Sequence, residues 1–158
     1  MALRDIVKEP DERLKKVCRP VKEITPHILT LLDDMAETMN FAEGVGLVAP
    51  QVGVLRRIVV IDVGEGLIEL INPEIIAFSG EQTGPEACLS CGERRGIVTR
   101  PSKVTVRALD RYGKMQEYTG EGLLARAFCH ELDHLDGVLF LDRMSREMAE
   151  DEEYPEEG

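Results

Sequence analysis

Gly120-Glu121-Gly122-Leu123-Leu124-Ala125-Arg126-Ala127-Phe128-Cys129-His130-Glu131-Leu132-Asp133-His134-Leu135-Asp136-Gly137 reads as one helix that carries both packing and chemistry. Leu124, Phe128, Leu132 and Leu135 recur at helical spacing and form an apolar stripe. Gly137 is well placed to stop the helix, which is expected from about Gly120 to Leu135. His130 and His134 are four residues apart, one turn up the same face, beside Leu123 and Ala127. Two imidazoles at that spacing, with Glu131 next to the first, can share one metal ion while the carboxylate moves protons on water. Two ordinary core histidines would be the plain alternative. The chain has only three histidines, however, and two of them stand here around Glu131. The third, His27, sits near a helix start on its polar side and reads as surface.

The remaining elements are read outward from this helix. Pro26 to Phe41 is expected to be helical, with Thr25 as its cap and Ile28, Leu31, Leu32, Met35 and Met39 as its buried stripe. Glu43-Gly44-Val45-Gly46 ends it and opens a loop from Leu47 to Gly53. Strands are expected at Arg57–Val63, Leu67–Asn72, Gly96–Arg100 and Lys103–Leu109. Asp110-Arg111-Tyr112-Gly113 makes a hairpin turn into a strand at Lys114–Thr119. Helix, short strands, helix is an α+β order. The expected fold has mostly antiparallel short strands packed around a C-terminal metal-binding helix, with a second helix near the N-terminus.

Composition bounds the function. At 158 residues the chain reads as one domain, and 43% hydrophobic content supplies a core. No apolar run is long enough to span a bilayer, and residues 1–10 show no apolar signal core, so a cytoplasmic location is expected. The four cysteines do not suggest a disulfide framework. Net charge is −11, and seven acids with no Lys or Arg fall in residues 147–158. The expected organisation is a catalytic domain over 1–146 followed by an acidic, flexible tail over 147–158. That charge disfavours direct nucleic-acid binding.

A catalytic metal needs a third protein ligand and an open position. The downstream acids are Asp136, Asp142 and the tail. Upstream, Glu86-Ala87-Cys88-Leu89-Ser90-Cys91 offers a thiolate, a strong ligand for zinc or Fe(II). Cys88 and Cys91 could also be half of a structural zinc site or a redox pair. Consuming four ligands would leave no place for water, and no βαβ unit surrounds the pair. Cys129 points away from the imidazole face and reads as a small buried hydrophobe. In Gly44-Val45-Gly46-Leu47-Val48-Ala49-Pro50-Gln51 the glycines allow close approach of a ligand, and Gln51 offers an amide to an oxyanion.

Together, in this order and spacing, Gly44–Gln51, Glu86–Ser90 and Cys129–His134 resemble the three motifs of peptide deformylases. Pro10–Leu14, Ile71-Asn72-Pro73 and Val106–Asp110 also look like family segments, so the resemblance covers about residues 4–144. It implies an enzyme that removes the N-formyl group from the initiator formyl-methionine of nascent polypeptides and releases formate. Cys88, His130 and His134 would hold the metal, with Fe(II) the usual physiological ion and Zn(II) or Ni(II) able to take its place. Metal-bound hydroxide would attack the formyl carbonyl with Glu131 as general base and acid. Gln51 and the backbone N–H of Leu89 would stabilise the oxyanion. Gly44, Val45, Gly46, Glu86, Leu123, Arg126 and Ala127 match positions around the substrate, and Arg95 matches one near the downstream peptide. Asp133 would pair with Arg100 beneath the site.

The chain departs from the family pattern at four places. Ala87 replaces a glycine, which would cost affinity if that position needs positive φ. Val48 replaces an alanine, Cys129 replaces a glutamine, and Cys91 is an extra thiol that oxidation could join to Cys88. Some relatives dock on the ribosome through a basic C-terminal helix, and the acidic tail here argues against that contact. Two other functions fit parts of the pattern. A metallopeptidase would use a Glu or His as third ligand, which the complete Cys88 motif opposes. A non-catalytic binder of formylated or acetylated N-termini would rest on Ala87 and Cys129 alone.

Overall fold

The computed structural model describes residues 2–155. α1 spans Pro26–Phe41, as its pattern predicts, and Thr25 Oγ1 accepts from the Ile28 N–H at 3.4 Å. Its end is a Schellman turn: the Gly44 N–H reaches the Met39 carbonyl at 2.9 Å and the Glu43 N–H that of Asn40 at 3.1 Å. The residue in the left-handed region is Glu43 (φ 59), not the neighbouring glycine.

Among the described residues eight strands follow the helix: β1 Gly46–Val48, β2 Ile58–Ile61, β3 Ile68–Ser79, β4 Gln82–Ala87, β5 Arg95–Arg100, β6 Lys103–Leu109, β7 Met115–Glu121 and β8 Arg146–Glu147. They form a five-stranded sheet in the order β1-β2-β3-β6-β7 and a three-stranded sheet in the order β4-β5-β8. All pairings between these strands are antiparallel, in keeping with the expected α+β class. α2 spans Leu123–Leu135, and a single turn, α3, spans Phe140–Arg143.

The two helices cover opposite faces of the larger sheet. Val59 and Ile61 of β2 pack with Phe128, Leu132 and Leu135 of α2. Ile58 and Val60 pack with Leu32, Met35 and Met39 of α1. A strand covered on both sides can be apolar at every position, which explains the unbroken Ile58-Val59-Val60-Ile61 run. The packing fixes α2 by its apolar stripe and turns its histidines away from the larger sheet, toward β4 and the turn after it.

Several boundaries differ from the sequence reading. The expected loop at Leu47–Gly53 contains β1 and a 3₁₀ turn over Ala49–Val52. β3 continues past Asn72-Pro73 to Ser79 by shifting register twice. Asn72 takes positive φ (53), and its side chain exchanges hydrogen bonds with the Val21 backbone at 2.7 and 2.8 Å. β4 was not expected, because Gly84 and Pro85 oppose a strand. Its place at the edge of its sheet tolerates the proline. α2 starts at Leu123 because Gly120 and Glu121 finish β7 and Gly122 turns the chain with φ 58.

The acidic stretch is not a free tail from its start. Glu147 lies in β8 on the edge of β5. The Arg95 guanidinium donates to the carbonyls of Ala149, Glu150 and Glu152 at 2.9–3.3 Å, and Arg146 pairs with Glu152. Glu156 and Glu157 lie outside the described residues. No helix among the described residues is long and apolar enough to cross a membrane.

Candidate active site

β4 delivers Cys88 to the start of a 3₁₀ turn over Leu89–Cys91, opposite the histidine face of α2. Cys88, His130 and His134 bring their donor atoms within 4.8 Å of one another, and all three are buried. His134 Nε2 is 3.4 Å from Cys88 Sγ. His130 Nδ1 faces Glu86 Oε1 at 2.8 Å, so its Nε2 is the nitrogen left for a metal. Burial lowers His134 to a pKa of about 3, which keeps its imidazole neutral as a ligand requires. A thiolate and two imidazoles suit Zn(II) or Fe(II), and three ligands leave a position open. The buried His134 Nδ1 finds no hydrogen-bond partner among the described residues.

Glu86 anchors the arrangement. Its carboxylate accepts from Arg100 Nε and Nη2 at 2.8 and 2.9 Å and from Arg126 Nη1 at 2.7 Å, besides facing His130. Burial pushes its pKa up, but the bonds from Arg100 and His130 outweigh that and hold it at about 2. Arg100 also donates to Asp133 at 2.7 Å, the pair implied by the family resemblance, and Asp133 accepts from Arg143 as well. The head of Arg126 is therefore tied to Glu86 and to the Val98 carbonyl, while its stem lines the cleft.

The proton-moving and oxyanion groups converge on the same place. Glu131 is buried, its Oε1 has no partner among the described residues, and burial raises its pKa. Its carboxylate rests on Gly46: a methyl there would overlap Oε2 and lie 2.8 Å from Cδ. Gln51 is aimed by the Val48 N–H, which donates to its Oε1 at 3.0 Å. Its amide nitrogen then donates to Ser90 Oγ at 3.1 Å and reaches Cys88 Sγ at 3.5 Å. Leu89 is held by Lys8, whose Nζ donates to its carbonyl at 2.8 Å.

A cleft of about 540 Å³ opens above these groups. Gly44, Val45 and Gly46 form one wall, and Pro85, Leu123 and Ala127 supply apolar surface. Glu86, Arg126, His130 and Glu131 also line it. Arg95 does not. Its guanidinium is engaged by the carbonyls after β8, so the structure does not place it with the other expected substrate residues.

The sequence reading placed Glu86 at the substrate and missed its bond to His130, because that depends on β4. Once β4 is seen, Glu86 sits two residues before Cys88, one strand period away. Ser90 and Lys8 carried no signal of their own. Ala87 needs no special backbone: Glu43 and Asn72 are the non-glycine residues with positive φ among those described. Cys129 is buried in the cluster between α2 and the larger sheet, as expected for a small hydrophobe.

The comparisons with known proteins agree with this geometry. The polypeptide deformylase family profile matches residues 3–150. The peptide deformylase of Caldanaerobacter subterraneus subsp. tengcongensis is 60% identical over 152 residues, 96% of each chain. The crystal structure of a peptide deformylase from Legionella pneumophila superposes with a TM-score of 0.88 at 48% identity, covering 90% of this chain and 86% of that one. That of the Ehrlichia chaffeensis peptide deformylase, in complex with actinonin, has a TM-score of 0.90 at 37% identity and covers 92% and 91%. With the Cys88, His130 and His134 cluster beneath its cleft, the chain belongs to the polypeptide deformylase family, metal-dependent hydrolases that remove the N-formyl group from nascent peptides.

Proposed function

We propose that Cys88, His130 and His134 hold the metal, that Glu131 carries the proton, and that Gln51 and the Leu89 N–H receive the oxyanion. The observation that carries this reading is the convergence of three ligand atoms within 4.8 Å, next to a buried, unpartnered carboxylate oxygen. The metal, when bound, supplies Lewis acidity toward water and the formyl carbonyl. Fe(II) is the proposed ion in the cell, with Zn(II) or Ni(II) as substitutes.

The initiator methionine side chain would enter the cleft between Val45, Leu123 and Ala127. The peptide that follows would run along Gly44–Gly46, where the glycines let its backbone approach. Glu131 takes the proton of the attacking water and returns it to the leaving nitrogen. Its burial-raised pKa suits a group that must hold that proton between the two steps. Gln51 Nε2, already directed toward Cys88, needs little reorganisation to donate to the developing negative charge. Formate and a free amino terminus result.

The proposed substrate is an N-formyl-methionyl nascent chain, met in the cytoplasm. The acidic stretch after β8 has the wrong sign for docking on ribosomal RNA, so a tight ribosome contact through that stretch is not part of this reading.

The test is formate release from a short formyl-methionyl peptide by protein loaded with Fe(II) without oxygen. Turnover that stops on chelation and returns with metal supports the assignment. Glu131→Gln that keeps its metal but loses turnover identifies the proton carrier. Retained activity in that variant would overturn its role.

A further inference from the structure

Cys91 is a buried thiol that the proposed mechanism does not use. It lies in the same core cluster as Cys88, with Val98, Leu139 and Phe140 around the pair. The two cysteines close the 3₁₀ turn over Leu89–Cys91: the Cys91 N–H donates to the Cys88 carbonyl at 2.9 Å. A turn of this kind keeps its first and fourth Cα atoms within about 7 Å, inside the range that a disulfide spans. Cys88 lines the cleft and can be reached from it, whereas Cys91 does not line it. The other two thiols are set apart. Cys18 and Cys129 lie in a different cluster, between α2 and the larger sheet.

We propose that Cys88 and Cys91 form a reversible oxidation site, in which Cys91 traps a sulfenic acid formed at Cys88 and closes a disulfide across the turn. The oxidant is a peroxide small enough to enter the cleft. In the first step the Cys88 sulfur takes one peroxide oxygen, the O–O bond breaks, and water leaves. In the second the Cys91 sulfur attacks the Cys88 sulfur, the S–S bond forms, the S–O bond breaks, and a second water carries away the Cys91 proton. The sum is two thiols and one peroxide giving one disulfide and two waters. This rests on Cys88 being a metal ligand, since the closed disulfide would leave only His130 and His134 to hold the ion. Without Cys91 the sulfenic acid has no neighbour to trap it and proceeds to the sulfinic acid, which thiols do not reduce.

The experiment compares the metal-loaded wild type with Cys91→Ala and Cys91→Ser, each first shown to bind metal. Each protein is treated with hydrogen peroxide in the presence of a chromogenic chelator and then with a dithiol reductant. For the wild type, peptide mass spectrometry should show a Cys88–Cys91 link, metal should pass to the chelator, and reductant should restore metal binding. Both variants should lose metal irreversibly and show Cys88 as sulfinic acid. Wild type that shows no such link, or variants that recover as fully as wild type, would overturn the proposal. If Cys88→Ser binds metal as well as the wild type, the ligand assignment fails instead, and the two failures are thereby separated.

Discussion

Glu86 Oε1 lies 2.8 Å from His130 Nδ1, and the same carboxylate takes bonds from Arg100 and Arg126. One buried group therefore fixes the tautomer of a proposed metal ligand and holds two guanidinium groups. Glu86→Gln keeps the shape but removes the charge. Partners of a ligating histidine are worth about 10–100-fold in metal affinity, and a loss in that range is expected in a chelator competition. Stability should fall as well, by about 3 kcal/mol in denaturant unfolding, because buried Arg126 loses its counter-charge while Arg100 keeps only Asp133. Unchanged metal affinity would show that Glu86 serves packing only.

Gly46→Ala tests the seat of Glu131. The new methyl would overlap Glu131 Oε2, so the carboxylate must move off the site. General-acid–base catalysis contributes about 10²–10⁴-fold, and kcat should drop by that order. Metal content, measured on the same preparation, should stay at the wild-type level, because the atoms nearest the new methyl all belong to Glu131. A variant with normal kcat would mean that Glu131 works from a different position.

How much of this was legible in the sequence depended on period and distance. α1 and α2 announced themselves by helical spacing, and the candidate metal site on α2 followed from the one-turn separation of His130 and His134. The Arg100–Asp133 pair was legible only through family resemblance, since 33 residues separate its members. β4 was hidden by Gly84 and Pro85, residues that speak against a strand and are tolerated only at an edge. With β4 unseen, the bond between Glu86 and His130 could not be drawn. The setting of Arg95 was hidden for a related reason. Its partners are backbone carbonyls of the acidic stretch, and carbonyls leave no trace in a sequence.

Glu43 occupies the left-handed position of the turn that ends α1, a conformation costing an L-residue about 1–2 kcal/mol. Glu43→Gly relieves that cost but gives the unfolded chain more freedom, so a net gain of about 1 kcal/mol is expected. For a chain of this length that is about 2–4 °C in Tm, measurable by calorimetry on protein of constant metal content. An unchanged or lower Tm would mean that the Glu43 side chain makes up the difference.

Ala87 is the departure from the family motif that directly precedes Cys88, and its backbone is ordinary for an L-residue. It pairs with Arg95 in the β4–β5 ladder. Ala87→Gly should therefore leave kcat/KM for a formyl-methionyl peptide unchanged. It should lower stability by about 0.5–1 kcal/mol, the cost of glycine in a strand. A gain in kcat/KM would show that the methyl stands in the path of the peptide.

Arg95 and Arg146 together hold the start of the acidic stretch against the smaller sheet. Arg95→Ala removes the donor shared by the carbonyls of Ala149, Glu150 and Glu152. Amide exchange over residues 149–153 should then quicken while exchange in α2 stays slow. Acid should loosen the same segment in the wild type. The bond from Arg146 holds Glu152 at about 2, below its ordinary 4.5. A carboxylate with a lowered folded-state pKa contributes its full stabilisation above the unfolded value and loses it as pH falls through the folded one. Segment order, followed by NMR, should thus hold above about pH 4.5 and be lost toward about pH 2. Arg146→Gln should show the loosened state already at neutral pH. If that variant kept the wild-type order, Arg95 alone would be the clamp.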